Sequence, residues 1–326
     1  MKLSVDIGNG YVKAVNEAGA TLHFPTVIRE NKELRDFGNG RLKYSAKING
    51  KDYYFGNMAI SKRGARNWGT NNDLADDTGK YVALCGHLLS VGNENDIDLF
   101  LGIPYVQYMR QADSETKLTS LKGKVYETTT DEGTTKTKVA SVSICPQGIG
   151  AYFYNIADMN GIPRSGAKNL MKALVIDVGY GTIDVVAFDG EDGSFVLVHD
   201  NSFSMEEQGI YNVVMNMRDA IKGTGLDFKV DDIEKALQKD GKLEYIDGTF
   251  DLKPYEDKEL ELLAREIYKK LKVDLKDDLI LYNNVYLTGG GANKLYPFLK
   301  KIIPSLQLQE DYIFCNCKGY LALANS

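Results

Sequence analysis

Two stretches of the sequence share one pattern: Asp6-Ile7-Gly8-Asn9-Gly10-Tyr11-Val12-Lys13 and Asp177-Val178-Gly179-Tyr180-Gly181-Thr182-Ile183-Asp184. Each stretch follows an apolar run, begins with an aspartate, and continues through Gly-x-Gly into a second run of strand-forming residues. This order predicts a strand, a tight glycine turn and an antiparallel strand in both places. Because the pattern occurs twice, it divides the chain into two comparable halves.

The residue types in this repeat suit the binding of a phosphate. Glycines let the backbone approach a phosphate closely and direct consecutive N–H groups at it. A carboxylate at the end of a strand can hold Mg²⁺ through its waters, because this ion dehydrates reluctantly. One copy alone is better explained by an ordinary hairpin turn. Two copies, each beginning a set of three short strands, favour a polyphosphate held by both loops.

A third glycine cluster lies near the end of the chain. Val285–Leu287 reads as a strand, Gly289, Gly290 and Gly291 follow it, and a helix is predicted up to Lys301. Glycines at this place would let a nucleoside lie flat against the backbone. A flexible turn is the alternative, but the strand before the cluster and the helix after it favour a binding loop.

Composition excludes several classes of protein. The chain has 326 residues, of which 43% are hydrophobic and 26% are charged, as in ordinary globular proteins of more than one domain. Its 39 basic and 45 acidic residues give a net charge of −6, which argues against direct, specific binding of nucleic acid. The first residues lack the apolar run of a signal peptide, and no stretch approaches about 20 apolar residues. We therefore expect a cytoplasmic protein without membrane attachment.

Hydrophobic periodicity predicts the elements around these motifs. A third strand completes each set of three, at Thr21–Ile28 in the first half and at Ser194–His199 in the second. Tyr105–Leu121 has the spacing of one amphipathic helix. Tyr312–Phe314 reads as a short strand before the last helix.

Five motifs, taken in order, resemble the actin, Hsp70 and sugar-kinase superfamily of ATPases. Asp6–Lys13 resembles its first phosphate motif, Asp177–Asp184 its second, and Thr288–Ala292 its adenosine motif. Cys145–Gly148 and Asn316–Tyr320 resemble the starts of its two connecting helices. The resemblance implies an α/β fold in which two similar actin-like (ribonuclease H-like) domains flank a nucleotide cleft.

The resemblance also implies domain limits. Residues 1–160 would form domain I, with a peripheral subdomain at about 30–72 and with the C-terminal helix at 312–326 completing it. Residues 161–311 would form domain II, with a peripheral subdomain at about 223–275.

Within this superfamily the chain is most similar to the plasmid-partitioning bacterial actins of the ParM and Alp type. The similarity rests on Asp6–Lys13, on Phe24–Thr26 and on the overall length. It implies a protein that forms helical filaments with itself, is driven by ATP, and segregates plasmid DNA through a DNA-binding adaptor. Hydrolysis would control filament disassembly, and GTP stays an alternative to ATP.

The resemblance assigns roles to individual residues. Asp6 and Asp177 would hold Mg²⁺ through water, and Lys13 would reach the β- and γ-phosphates. Many relatives carry Glu at the position of Gln147. Gln147 would orient the attacking water, but its amide cannot act as a base. The remaining cofactor contacts are expected from the three loops: Gly8, Asn9, Gly10 and Tyr11; Gly179, Tyr180, Gly181 and Thr182; and Gly289, Gly290 and Gly291.

Other functions on the same fold are alternatives. A small-molecule kinase of the sugar-kinase type usually has a longer chain and carries Thr or Ser where this chain has Tyr11. A chaperone of the Hsp70 type would need a long substrate domain after the ATPase, and this sequence ends at Ser326. A membrane-bound actin relative would carry an amphipathic anchor, which neither end of the sequence offers.

Overall fold

The structure is a computed structural model that describes residues 1–31, 45–61, 74–109, 112–165, 172–190 and 195–326. The chain forms two compact units, one consisting of Met1–Leu170 with Ile313–Ser326 and the other of Met171–Tyr312. Much of the peripheral subdomain predicted at residues 30–72 lies outside the described residues. Its described part forms two strands and a short helix.

The strands of the described residues are, in chain order, β1 (Lys2–Ile7), β2 (Tyr11–Asn16), β3 (Thr21–Pro25), β4 (Ile28–Glu30), β5 (Ser45–Ile48), β6 (Lys51–Phe55), β7 (Glu94–Ile103), β8 (Val125–Thr130), β9 (Gly133–Pro146), β10 (Ala173–Val178), β11 (Thr182–Asp189), β12 (Val196–Leu197), β13 (Phe203–Glu206), β14 (Lys242–Tyr245), β15 (Gly248–Asp251), β16 (Asn284–Thr288) and β17 (Leu306–Leu308). The α-helices are α1 (Gly56–Ser61), α2 (Leu74–Leu88), α3 (Tyr105–Met109), α4 (Ala112–Thr119), α5 (Ile149–Ile156), α6 (Ile210–Lys222), α7 (Val230–Leu237), α8 (Lys253–Leu275), α9 (Ala292–Ile302) and α10 (Cys315–Asn325).

The two units begin with the same arrangement of strands. In the first, β1 pairs antiparallel with β2 and parallel with β7, which in turn pairs parallel with β9. In the second, β10 pairs antiparallel with β11 and parallel with β16, which pairs parallel with β17. The central strands β1 and β10 are almost fully buried, as expected for strands covered on both faces. Ligands of open α/β sheets bind beyond the carboxyl ends of such parallel strands.

Several predicted elements differ from the structure. The strand predicted at Thr21–Ile28 ends at Pro25, where proline lacks the N–H that would continue the ladder, and β4 pairs with β6 instead. The third strand of the second unit was predicted at Ser194–His199. It is split into β12 and β13, which pair with opposite ends of β11 and are joined through a 3₁₀ turn at His199–Asn201.

Tyr105–Leu121 was predicted as one helix, and the structure has α3 and α4 on either side of residues 110–111, which lie outside the described part. The prediction for the end of the chain was wrong. Tyr312–Phe314 is a turn rather than a strand, and the last helix starts at Cys315 rather than at residue 312. The strand near this end of the chain is β17, whose central residue is exposed and whose apolar pattern is too short to detect.

The peripheral subdomain predicted at 223–275 contains elements of two kinds. Helix α8 belongs to the core of the second unit, because its apolar face packs on α6 and α9; the buried residues include Leu260, Leu263, Ala264, Ile267 and Leu271. Strands β14 and β15 form a separate two-stranded hairpin that the sequence analysis missed. Its two short strands are half exposed and carry little apolar periodicity.

Helices α5 and α10 pack backbone against backbone in the first unit. A Cβ atom added to Gly319 would collide with the carbonyl oxygen of Gly150, and one added to Gly150 would collide with Asn316. Glycine is therefore required on both helices, because a backbone carbonyl cannot move aside as a flexible side chain can. This close approach fixes the position of α5, whose start follows Gln147.

We predict that Gly319→Ala destabilises the protein. Alanine favours a helix by about 0.8–1 kcal/mol over glycine, but overpacking against the Gly150 carbonyl costs about 1–3 kcal/mol. The net effect should lower the Tm in a thermal melt. Gly290→Ala is the matched control, because a Cβ there meets nothing within 4 Å, and its Tm should stay unchanged. A Gly319→Ala protein that melts at or above the wild-type Tm would contradict the packing argument.

Candidate functional site

The first glycine turn is closed by its own backbone and by Thr26. The Gly8 N–H donates to the Tyr11 carbonyl at 3.1 Å, which forms the turn between β1 and β2. Thr26 donates twice to the turn, from its N–H to the Gly10 carbonyl at 2.9 Å and from its hydroxyl to the Gly8 carbonyl at 2.6 Å. These bonds fix the conformation of the loop. Thr26 was not predicted as a site residue, since it enters the site from the end of another strand.

Three predicted site residues meet at the carboxyl ends of β1 and β9. Asp6 is fully buried, and Lys13 and Gln147 are nearly so. The Lys13 ammonium lies 2.9 Å from Oδ2 of Asp6, and Nε2 of Gln147 donates to Oδ1 at 2.5 Å. Lys13, which was expected to reach phosphates, therefore forms an ion pair with Asp6 across the β1–β2 ladder, where the two residues are directly paired.

The contact with Asp6 determines which way the Gln147 amide points. A carboxylate only accepts hydrogen bonds, so Gln147 must present its NH₂ group to Asp6. The side-chain oxygen of Gln147 is then the atom that can accept a hydrogen bond from a water. A glutamate at position 147 would instead place a second negative charge against Asp6.

Asn316 holds the start of α5 next to Gln147. Its Oδ1 accepts hydrogen bonds from the N–H groups of Gly148 at 3.1 Å and Ala151 at 3.0 Å. It thus satisfies two of the N–H groups that lack a partner at a helix N-terminus. Gly148 has φ +86°, a left-handed conformation that favours glycine and lets the chain turn from Gln147 into the helix. The sequence marked Asn316 as part of a motif but gave no reason to place it on α5.

A buried thiol lies on the other side of the cluster. Cys317 donates to the Lys13 carbonyl at 3.5 Å. Burial, and next the nearby Asp6 carboxylate, raise the pKa of this thiol well above its usual value. Cys317 is therefore neutral, and it adds no second negative charge beside Asp6.

The second glycine turn repeats the geometry of the first. Asp177 pairs with Asp184 in the ladder as Asp6 pairs with Lys13, seven residues further along in both cases. The Gly179 N–H donates to the Thr182 carbonyl at 2.9 Å, as Gly8 does to Tyr11. The equivalence predicted from the repeat thus extends to strand register and to the hydrogen bond that closes each turn.

The second turn is held by a helix N-terminus. The N–H groups of Ile210 and Tyr211 donate to the carbonyls of Gly179 at 3.2 Å and Tyr180 at 2.8 Å. Gly209 lies directly over the Tyr180 carbonyl, where a Cβ would collide with it. The start of α6 therefore donates hydrogen bonds to the carbonyls of this loop, as Thr26 does to those of the first loop.

Tyr180 connects the second turn to α7. Its hydroxyl donates to Oε1 of Glu234 at 2.5 Å, and its ring lies 5.3 Å from the ring of Tyr211. Tyr180 was predicted as a cofactor contact, and the structure engages its hydroxyl with a carboxylate instead. Its backbone in the loop is the part that can face a phosphate.

The third glycine cluster packs directly on Asp177. Strand β16 lies parallel to β10 with Thr288 beside Asp177, so the chain enters the glycines at the same sheet edge. Gly289 has φ +91°, and a Cβ there would collide with Oδ1 of Asp177. Gly291 packs against Ile210, whereas a Cβ on Gly290 would meet nothing within 4 Å. The structure brings this cluster and the second turn together, and leaves an open surface over Gly290.

Each of the two aspartates, taken by itself, has the chemistry to hold a hydrated metal ion. Asp6 and Asp177 occupy equivalent positions, one in each unit, and both are buried carboxylates at strand ends. Each oxygen of Asp6 has the capacity for one hydrogen bond beyond those from Lys13 and Gln147, so that it can still accept from a metal-bound water. No group of three or more His, Cys, Asp and Glu side chains that could ligate a metal occurs in the described part of the chain. A metal held mainly through its waters suits Mg²⁺.

Two family models match the chain one after the other. The model of the actin-like protein N-terminal domain matches residues 4–150, and the C-terminal model of the MreB-like archaeal actin homologues matches residues 175–301. No curated protein sequence matches the chain significantly. Across the described ranges, no helix has the length and apolar character needed to cross a membrane.

Solved structures resemble the chain over its whole length. A ParM in a 15-stranded filament from Clostridium botulinum has a TM-score of 0.84 at 22% identity, covering 99% of this chain and 98% of that one. The archaeal actin homologue Ta0583 with ADP has a TM-score of 0.76 at 21% identity, with 99% and 98% covered. Bacillus thuringiensis ParM with ATP has a TM-score of 0.69 at 17% identity, with 98% and 96% covered.

At these identities the likeness establishes the fold, and it confirms the predicted α/β architecture of two actin-like domains. It does not favour the small-molecule kinase that was kept as an alternative. Both halves of the sequence match actin-like family models, and the whole chain has the fold of ParM and the archaeal actin homologues. The chain therefore consists of an N-terminal domain of the actin-like protein type, followed by a C-terminal domain of the type found in the MreB-like archaeal actin homologues.

Proposed function

We propose that this protein binds and hydrolyses ATP with Mg²⁺ and that the nucleotide state controls its assembly into filaments. The observation that carries the proposal is the repeated strand–turn–strand with a buried carboxylate at the same register position, Asp6 in one unit and Asp177 in the other. Two such loops suit the two ends of one polyphosphate. The third glycine cluster, packed on Asp177, suits a nucleoside.

Each loop would contribute backbone N–H groups to the phosphates. In the first loop these belong to residues 8–11, and in the second to residues 179–182. Gly289, Gly290 and Gly291 would lie against the nucleoside, with the open surface over Gly290 as the point of closest approach. Asp6 and Asp177 would hold Mg²⁺ through water, and bound Mg²⁺ supplies charge neutralisation for the phosphates.

The buried cluster around Asp6 would prepare the attacking water. Gln147 holds its NH₂ group on Asp6, so its side-chain oxygen would accept a hydrogen bond from the water and orient it. Lys13 would offer its positive charge both to Asp6 and to the phosphates, because an ammonium has three donors. The Gln147 amide does not accept a proton at neutral pH, and so Gln147 would act only by positioning the water.

The relatives support the choice of ligand and of assembly. One ParM structure contains ATP, the archaeal homologue contains ADP, and another ParM was solved as a filament. By analogy, this protein would act in the cytoplasm and segregate plasmid DNA. Its net charge of −6 supports attachment to DNA through a separate adaptor rather than directly.

We predict that Asp177→Asn removes the dependence of nucleotide binding on Mg²⁺ and lowers turnover about 100-fold or more, because the metal site loses an anchoring charge. The asparagine keeps the shape of the side chain beside Gly289. Calorimetry of ATP binding with and without Mg²⁺, together with phosphate release, measures both effects. Asp189→Asn at the exposed far end of β11 is the control and should leave both unchanged. Wild-type turnover in Asp177→Asn would show that the metal site lies elsewhere.

We predict that Gln147→Ala slows hydrolysis by roughly 100-fold while ATP affinity changes little, because the side chain orients the water rather than the nucleotide. Single-turnover phosphate release and a binding titration separate the two quantities. Asn155→Ala, also in α5, serves as the control because its side-chain amide donates to the Ala151 carbonyl of the same helix. A Gln147→Ala protein that loses ATP affinity instead would refute the positional role.

We predict that ATP lowers the critical concentration for assembly at least tenfold relative to ADP. This needs only about 1.4 kcal/mol of differential contact energy between the two nucleotide states. Sedimentation and negative-stain microscopy with ATP, a non-hydrolysable analogue and ADP measure it. The analogue should support assembly as well as ATP does, and filaments formed with it should persist. Equal critical concentrations with all three nucleotides would exclude nucleotide control.

A further inference from the structure

The surface of the second unit has a groove between α8 and α9. Its volume is about 520 Å³, and its floor includes the half-buried side chains of Tyr268, Phe298 and Ile302. Charged residues surround this apolar floor: the cations Arg265, Lys269, Lys272 and Lys301, and the carboxylate Glu261.

The groove therefore carries an excess of positive charge. Glu261 lies 2.7 Å from Arg265 and offsets one of the four cations. The ammonium groups of Lys272 and Lys301 lie 5.3 and 5.5 Å from the ring centres of Tyr268 and Phe298. Cations in this arrangement stay exposed to a ligand while their stems extend the apolar surface. The groove suits an apolar side chain flanked by carboxylates.

The β14–β15 hairpin presents such a side chain. Tyr245 pairs with Gly248, so that Ile246 and Asp247 form the two-residue tip. Ile246 is fully exposed, which is unusual for isoleucine. The neighbouring Glu244 and Asp247 are also exposed and give the tip a negative charge.

The tip does not occupy the groove of its own chain, because Ile246 is fully exposed and is not among the residues that line the groove. The hairpin leads directly into α8, and Tyr268 lies fifteen residues beyond Lys253, which is about 22 Å along the helix. The four residues of β15 span only about 13 Å. The tip offers an apolar side chain with carboxylates, and the groove offers an apolar floor with cations. Because the tip lies outside its own groove, a contact between the two surfaces joins two copies of the chain.

We propose that Ile246 inserts into the α8–α9 groove of a second copy, with Glu244 and Asp247 facing its cations. The two surfaces are different, so the contact is heterologous and repeats head to tail, which produces an open filament rather than a closed dimer. The proposal rests on the proposed function, because it names the surfaces through which self-assembly would occur. Burial of Ile246 supplies the apolar contribution, and the charges set the orientation.

The test uses the full chain with ATP and Mg²⁺. Ile246→Asp should raise the critical concentration for assembly at least tenfold without changing ATP affinity. The double variant Lys272→Glu with Lys301→Glu should do the same from the groove side. Val91→Asp is the matched control, because Val91 is another almost fully exposed apolar residue, in the other unit, and its variant should assemble normally.

Mixing the variants tests the direction of the contact. Ile246→Asp keeps an intact groove, so substoichiometric amounts should block growth at one end of wild-type filaments. A mixture of Ile246→Asp and the groove variant should form heterodimers, detected by analytical ultracentrifugation. The groove variant supplies the intact tip, and Ile246→Asp supplies the intact groove. If the wild type and Ile246→Asp assemble equally well, the proposed contact is wrong but the proposed function is unaffected. The same holds if Val91→Asp assembles as poorly as Ile246→Asp. A wild-type chain that assembles equally well with ATP and without any nucleotide would overturn the proposed function itself.

Discussion

The buried carboxylate of Asp6 is the constraint on which the first unit depends. A carboxylate removed from water is costly unless charge and hydrogen bonds compensate it. Lys13 supplies the charge from the neighbouring strand, and Gln147 supplies a hydrogen bond from the end of β9. The Asp6 side chain thus connects the glycine turn, two strands of the sheet and Gln147, which lies two residues before α5.

Close backbone packing transmits this constraint to the C-terminal helix. α5 starts two residues after Gln147, and α10 holds it through the Asn316 side chain and through the contact of Gly319 with Gly150. The Gly319–Gly150 contact leaves no room for a Cβ atom on either helix, and the two hydrogen bonds of Asn316 hold the first turn of α5 in place. The backbone next to Gln147 is therefore held by a helix more than 160 residues later in the chain, while Asp6 sets the orientation of the Gln147 amide.

The second unit reaches an equivalent loop by other means. Its turn is fixed by the start of α6, its carboxylate Asp177 is packed by Gly289, and its Tyr180 hydroxyl reaches Glu234 on α7. Helix α7 lies against the β14–β15 hairpin, which carries the exposed Ile246. The loop and the surface that we assign to self-assembly are thus connected through directly contacting elements of one unit. Tyr180 bonds to Glu234 on α7, and α7 contacts β14 of the hairpin.

The sequence by itself determined the local features: both strand–glycine–strand repeats, the aspartates at their strand ends, and the third glycine cluster between a strand and a helix. These follow from short-range rules, since apolar periodicity and glycine conformation act over a few residues. Tertiary structure decided how the side chains are used. Lys13 pairs with Asp6, Thr26 closes the first turn, Asn316 caps α5, and Tyr180 bonds to Glu234. Each of these contacts joins residues from different elements, and its partner is selected by packing and by the need to satisfy buried polar groups, which no local pattern encodes.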